Sequence, residues 1–400
     1  MDEAILHIPE GINFECTGCG NCCFSWPVPA TDDDVERINK LVPASLPLFR
    51  PLAASEQKLS AYTHTLEKRA DGCCQFLTEE NRCRLHLEYG SEAKPAMCQL
   101  FPYTFTPAPS GIYASVSFAS TGVLYNSGMP LSQQRPLLDA RWRLLSNLMP
   151  GYRPDWTTAQ IADGVPLAWD DYLAVETVLL AMFAPVMPEK QNDRPLVRCW
   201  ETASAAVVAR LPAGYEIEKN LTDARPKVVD QILLKALLEF YFPPDVFCAT
   251  AHDLPARQIA VQLVTPPNKV RIEYGGSEIS VVHLLERKLG ALSPACGDLI
   301  RRFVYCRLFA KLYFGPGYNN LSLIAGLHHL FILVAIIRIQ LKQTQFLQKP
   351  ETEQFMQLAE LVRTLERRLT VASLSRESST VLEVLLSSPQ RLSRMIALAN

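Results

Sequence analysis

The chain has 400 residues, with 39 basic against 41 acidic and a formal net charge of −2 at pH 7. That length exceeds the size at which one hydrophobic core stops growing, so two domains, or one large domain with an appended module, are expected. The balanced charge, with no long like-charge run, excludes an electrostatic footprint for nucleic acid or an anionic membrane, so partners have to be read from sites.

The opening "MDEAILHIPEGINFE" is acidic and lacks the basic start and apolar core of a secretory signal, which makes the cytoplasm the expected compartment. Twelve cysteines are many for a cytosolic chain, and eight of them precede residue 99. In a reducing compartment such clustering reads as metal ligation or thiol chemistry before disulfides.

In chain order, residues 1–125 are rich in turns, Cys and Pro. Thr31, followed by Asp32, Asp33 and Asp34, predicts an N-cap, and Val35, Ile38, Leu41 and Val42 supply one apolar face for a helix that Pro43 and Pro47 end. Ser55 to Ala70 reads as a helix or an irregular arm. "GCCQFLTEENRCRLHLEYG" alternates like a short hairpin turning at Glu79, Glu80 and Asn81, and "IYASVSFAS" reads as a strand after the turn "PAPSG".

Beyond residue 130 the pattern is helical. Helices are predicted at about 132–148, 169–185, 196–211, 228–241, 281–290, 296–313, 320–343, 352–370 and 376–397, and a strand pair within 258–276. The longest apolar run, Leu321 to Ile337, is one membrane span long but carries His328 and His329 at its centre, which favours a buried core helix over a transmembrane one. The expected architecture is mainly α: a cysteine-cluster module with short strands over 1–125, then a larger helical domain over 126–400.

The cysteines carry the chemistry. Zinc and iron–sulfur clusters both take thiolates, and Cys16-x2-Cys19-x2-Cys22 can close on one ion or cluster edge from a tight turn that Gly18 and Gly20 permit. Adjacent Cys22 and Cys23 point apart, so further ligands must come from Cys73, Cys74, Cys83 and Cys98. Phe101, Pro102 and Tyr103 are expected to pack over the metal loop.

"CTGCGNCCFSWPVPATDDDVERI", "CQFL….CRLH" and "KPAMCQLFPYTF" together resemble the CxxCxxCC cysteine-cluster proteins, a bacterial zinc- or iron-chelating group that includes the flagellin lysine-N-methylases. The resemblance covers residues 14 to about 125 and puts Cys16, Cys19, Cys22, Cys23, Cys74, Cys83 and Cys98 on the family's cysteine positions. Where the family often has a further cysteine this chain has Ser120, and Cys73 is an additional thiol, so the eighth ligand is Cys73 or one site is incomplete. A looser similarity to the methylase branch covers "GVPLAWDDYLAVETVLLAMF" and "RRFVYCRLFAKLYFGPGYNNLSLIAGLHHLFILVAIIRI".

The resemblance therefore implies a metal-binding protein, with zinc or iron, or a 4Fe–4S cluster, as cofactor. The alternative is a protein-lysine N-methyltransferase using S-adenosylmethionine and acting on a protein substrate or partner. No Gly-rich Rossmann turn is present for that cofactor; "YGGSE" at 274–278 is weak. Trp169, Asp170, Asp171, Tyr172 and Glu176 could line a site for a lysine ammonium, although an N-cap followed by an amphipathic helix is the favoured reading of them. His328 and His329, and Cys199, Cys248, Cys296 and Cys306, read as core residues.

Overall fold

The computed structural model describes residues 5–24, 26–42, 48–53, 61–185, 196–211, 225–243, 253–274, 277–342, 346–371 and 374–399. They form two compact units, Met1–Pro154 and Asp155–Asn400. The whole is mainly α, with short strands gathered in small sheets.

In the first unit, β1 (Leu6–His7) lies parallel to β6 (Gly111–Val116), which pairs antiparallel with β5 (Tyr103–Ala108). A second sheet has the order β2 (Pro29–Ala30), β4 (His64–Leu66), β3 (Phe49–Pro51). Helix α1 (Asp32–Leu41) starts at Thr31, whose hydroxyl accepts from Asp34 N at 3.1 Å while the Asp34 carboxylate accepts from Thr31 N at 3.2 Å. This reciprocal cap satisfies two amide donors that a helix start leaves open. Pro43, Pro47 and residues 55–60 of the stretch expected as a helix or irregular arm lie outside the described residues, and the rest of that stretch carries strand β4 rather than a helix.

The expected hairpin over 72–90 is reduced to one bridge, Leu77 to Cys83, and its second arm is α2 (Arg84–Tyr89). Alternation in "RLHLEY" would put Leu85 and Leu87 on one face. The helical turn instead buries Leu85 fully and leaves Leu87 57% exposed, and Gly90, at φ 86°, closes it. After α3 (Ala96–Leu100) and α4 (Thr121–Leu124) comes α5 (Arg135–Leu148), whose Leu138 joins Leu6, Phe105, Ile112 and Ala114 in one core. Residues 126–131, where composition suggested a boundary, lie inside this unit: Asn13 N donates to Asn126 Oδ1 and Leu131 N to Ile12 O.

In the second unit, β7 (Gln160–Ala162) and β8 (Val165–Pro166) precede α6 (Trp169–Phe183), α7 (Leu196–Val208) and α8 (Val228–Tyr241). The strand pair expected within 258–276 lies later: only β9 (Arg271–Tyr274) falls in that range and its partner β10 (Ser277–Ser280) follows it, while "ARQIAVQLV" is α9 (Ala256–Val264), with Ile259 inward and Val261 and Val264 exposed. Then follow α10 (Pro294–Phe309), α11 (Leu323–Lys342), α12 (Glu351–Val371), α13 (Arg376–Leu386) and α14 (Pro389–Ala397). The segment read as one helix over 376–397 breaks at Ser388, which caps α14 ahead of Pro389. The segment at 281–290 is a 3-10 turn, Val281–Glu286.

Helix α11 is the axis of this unit, packed by α7, α8, α12, α13 and α14. It is long and apolar enough to cross a membrane, and 89% of it is buried inside the unit. Apolar residues all round are what a central core helix requires.

Candidate metal centre

The loop from Cys16 to Cys23 ends in a 3-10 turn, Asn21–Cys23, and both Gly18 (φ 64°) and Gly20 (φ 72°) are left-handed. A Cβ on Gly20 would meet the Asn81 side chain at 3.0 Å, so glycine lets this loop lie against the turn that follows Cys74. Cys74 N donates to Cys23 O at 2.9 Å, Phe24 bridges Cys73, and Leu77 bridges Cys83. Backbone pairing thus draws the second cysteine group onto the first, and α3 supplies Cys98.

Cys23, Cys73, Cys83 and Cys98 pack against the buried cluster that holds Cys74. Cys22 Sγ lies 3.9 Å from Cys23 Sγ. Cys98 feels the charges of Cys74, Cys83 and Cys22, and Cys23 those of Cys22, Cys74 and Cys98. The Cys22 thiol is drawn down to about 7, chiefly by the hydrogen bond with Cys23 and further by Lys94 and Lys68, against the pull of burial. That same bond, with burial and the neighbouring thiolates, holds Cys23 far above the ordinary thiol range. Burial first, then neighbouring thiols, pushes Cys74 and Cys98 up.

Thiols arranged to repel one another's charges suit a cation that reverses the sign of the cost. Sulfur donors select zinc or iron among common metals, so the donor chemistry of this set, eight thiols, fits such a group. Among the described residues no group of three or more His, Cys, Asp or Glu side chains stands close enough together to hold a metal ion.

Cys16 is exposed, and Cys19 Sγ donates to Thr121 Oγ1 at 3.0 Å, where Asn21 Nδ2 also donates at 3.2 Å. Thr121 follows Ser120, so Cys19 is turned toward the place where the family's further cysteine would stand. Cys73 packs against the same buried cluster as Cys74; its N–H donates to Asp71 at 2.9 Å, and its thiol pairs with Arg69. Of the aromatic cover, Phe101 meets Trp26 edge-on at 5.9 Å, whereas Tyr103 packs on Phe14 and donates to Gln134 Oε1.

Residues 15–120 match the CxxCxxCC family model. That family is described as "Putative zinc- or iron-chelating domain". The CxxCxxCC segment contains all eight clustered cysteines. The chain is also 32% identical over 97 residues to an uncharacterised protein, MJ0939, of Methanocaldococcus jannaschii, a match covering 24% of this chain and 31% of that protein. The chain thus spans about a third of the length of that relative. No solved structure matches.

Outside the CxxCxxCC segment, the residues weighed for other roles have internal partners. Glu176 accepts from Lys311 Nζ at 2.7 Å and from Tyr172 OH at 2.8 Å, so the acidic group considered for a lysine ammonium holds this chain's own lysine. His328 and His329 are buried; the first bonds Leu386 O and the second Tyr241 OH. Cys199, Cys296 and Cys306 are buried, and Cys248 lies outside the described residues. Composition gave no signal for the polar groups behind Cys98, namely Asp34, Gln99 and Arg141. Only Asp34 had a visible sign, its place three residues after the capping Thr31.

Proposed function

We propose that the protein binds zinc or iron through the cysteine cluster of its CxxCxxCC segment. One observation supports the reading: Cys23, Cys73, Cys74, Cys83 and Cys98, from three separate stretches of sequence, pack into one cluster of the first unit, with Cys22 Sγ 3.9 Å from Cys23 Sγ. When bound, the metal supplies the positive charge that lets these thiols ionise together. Cys16, Cys19 and Cys73 complete the candidate set of eight. Cys16 and Cys19 belong to the same loop as Cys22 and Cys23, and the eighth ligand is Cys73 or one site is incomplete. The ligand chemistry implies a reducing compartment, the cytoplasm.

The metal decides between a structural zinc site and an iron–sulfur cluster. Anaerobic purification with metal analysis reads this directly, because a cluster is brown with thiolate-to-iron absorbance and a zinc site is colourless. Wild type is to be compared with Cys98→Ser and Cys19→Ser. Recovery of neither zinc nor iron with wild type, and unchanged folding in both variants, would sink the reading. The lysine-methylase alternative rests on the looser sequence resemblance alone, and Glu176 gives it no site.

A further inference from the structure

Helix α3 has five residues, Ala96–Leu100, and carries Cys98 at its centre. One turn of helix is not stable by itself in water, so its position must come from what holds its ends. Two buried polar groups hold them.

At the start, the Asp34 carboxylate, 1% exposed, accepts from Ala96 N through both oxygens at 3.2 and 3.1 Å. The same carboxylate caps α1 and binds Arg37 at 2.6 Å, and Arg37 in turn donates to Lys94 O at 2.9 Å. At the far side, Gln99, 8% exposed, donates to Lys94 O at 2.8 Å and Glu92 O at 3.0 Å. Its own carbonyl accepts from Arg141 Nη1 at 2.9 Å, and Arg141 Nη2 reaches Glu92 Oε1 at 3.0 Å. Cys98 therefore sits between a residue fixed from α1 and a residue fixed from α5.

We infer that Asp34 and Arg141, the latter through Gln99, are positioning residues that fix the Cys98 thiol in the cluster it shares with Cys23, Cys74 and Cys83. The inference rests on the chelation reading and deepens it: α1 and α5, which supply no sulfur, set where one ligand stands. Buried groups that orient a ligand in this way commonly govern metal affinity by about 10–100-fold.

The test measures zinc(II) retention by the full chain against a chromophoric chelator under anaerobic, reducing conditions, with iron(II) in parallel. Asp34→Ala and Gln99→Ala are each expected to weaken retention by about 10–100-fold, while Glu36→Gln, on the exposed side of α1, leaves it unchanged. Added to Cys98→Ser, either substitution should cost little more, because the ligand it positions is already gone. Equal losses with and without Cys98 would overturn the inference, as would undiminished retention in a folded variant. Gln99→Ala leaves the α1 capping box intact and so decides the matter if Asp34→Ala does not fold.

A second readout needs no metal. In the metal-free chain, alkylation of Cys98, followed by peptide mass spectrometry, is expected to be faster in both variants, and an unchanged rate overturns the inference. Wild type that retains neither metal, with Cys98 still labelled faster in the variants, would remove the chelation reading and leave the positioning in place.

Discussion

Lys311 Nζ, fully buried, donates to Glu176 Oε1 at 2.7 Å across 135 positions of sequence. Tyr172 and Phe309 flank the ammonium at 5.7 and 5.9 Å, and burial draws its pKa down to about 8 despite the carboxylate. The backbone of Lys311 is left-handed, φ 57°, at the exit of α10, a conformation a β-carbon resists. Removing one partner of such a pair leaves the other desolvated and costs about 3–5 kcal/mol, whereas replacing both with apolar groups can be neutral. Glu176→Leu is therefore expected to lower the urea midpoint of the second unit strongly. The double variant Glu176→Leu with Lys311→Met should recover most of that loss, and a double variant worse than the single would refute the account.

Acid should weaken the second unit through its paired histidines. Burial lowers His328 to about 4; burial, then the Arg307 charge, lowers His329 to about 3. Each is neutral when folded and takes up a proton when unfolded below about 6.5. The unfolded chain then binds more protons, so stability is full above pH 6.5 and falls as pH drops toward the folded values. The slope is at most about 1.4 kcal/mol per pH unit for each histidine. His329→Gln, which keeps an acceptor for Tyr241 OH, should remove one histidine's share of that slope between pH 6.5 and 5. A slope equal to wild type would contradict this assignment.

Two glycines in helices should respond to alanine with opposite signs. At Gly326, in α11, a Cβ would meet Tyr313 O at 2.1 Å and Phe314 Cβ at 2.9 Å. Gly297, in α10, has nothing within 4 Å. Alanine gains about 1 kcal/mol of helix propensity over glycine, so Gly297→Ala is expected to stabilise by up to that amount. For Gly326→Ala a backbone collision outweighs the gain, with a net loss of about 1–3 kcal/mol. Thermal melts of the two variants side by side check both signs.

Stripping metal should act on one unit only. Ligation and folding are coupled where thiols from distant stretches meet, and the cysteine groups of the first unit are joined by few backbone bonds. Chelator treatment is expected to open residues 15–154 to limited proteolysis while fragments from 155–400 persist. Equal protection before and after treatment would count against it.

How far the sequence spoke depended on how local each signal was. The Thr31 cap and the helix at 228–241 were legible because their information lies within a few residues. The helix at 84–89 was misread because Leu85 and Leu87 alternate like a strand, and only burial separates them. The cysteine clustering announced metal chemistry. What it could not announce was that Cys19 turns to Thr121, or that Asp34 reaches Ala96, 62 residues on. Those are products of packing between segments, where spacing in sequence carries no information.

The bond from Arg141 to Gln99 bears on where a transplantable cassette would end. The stretch matched by the family, 15–120, keeps every clustered cysteine but stops short of the helix that carries this arginine. It also omits Leu6, the strand partner of Ile112, and Leu138 beneath it. A graft cut at those limits would carry the thiols without Arg141, Leu6 and Leu138, so a transplant is expected to need the chain from β1 through α5 to keep the packing around them.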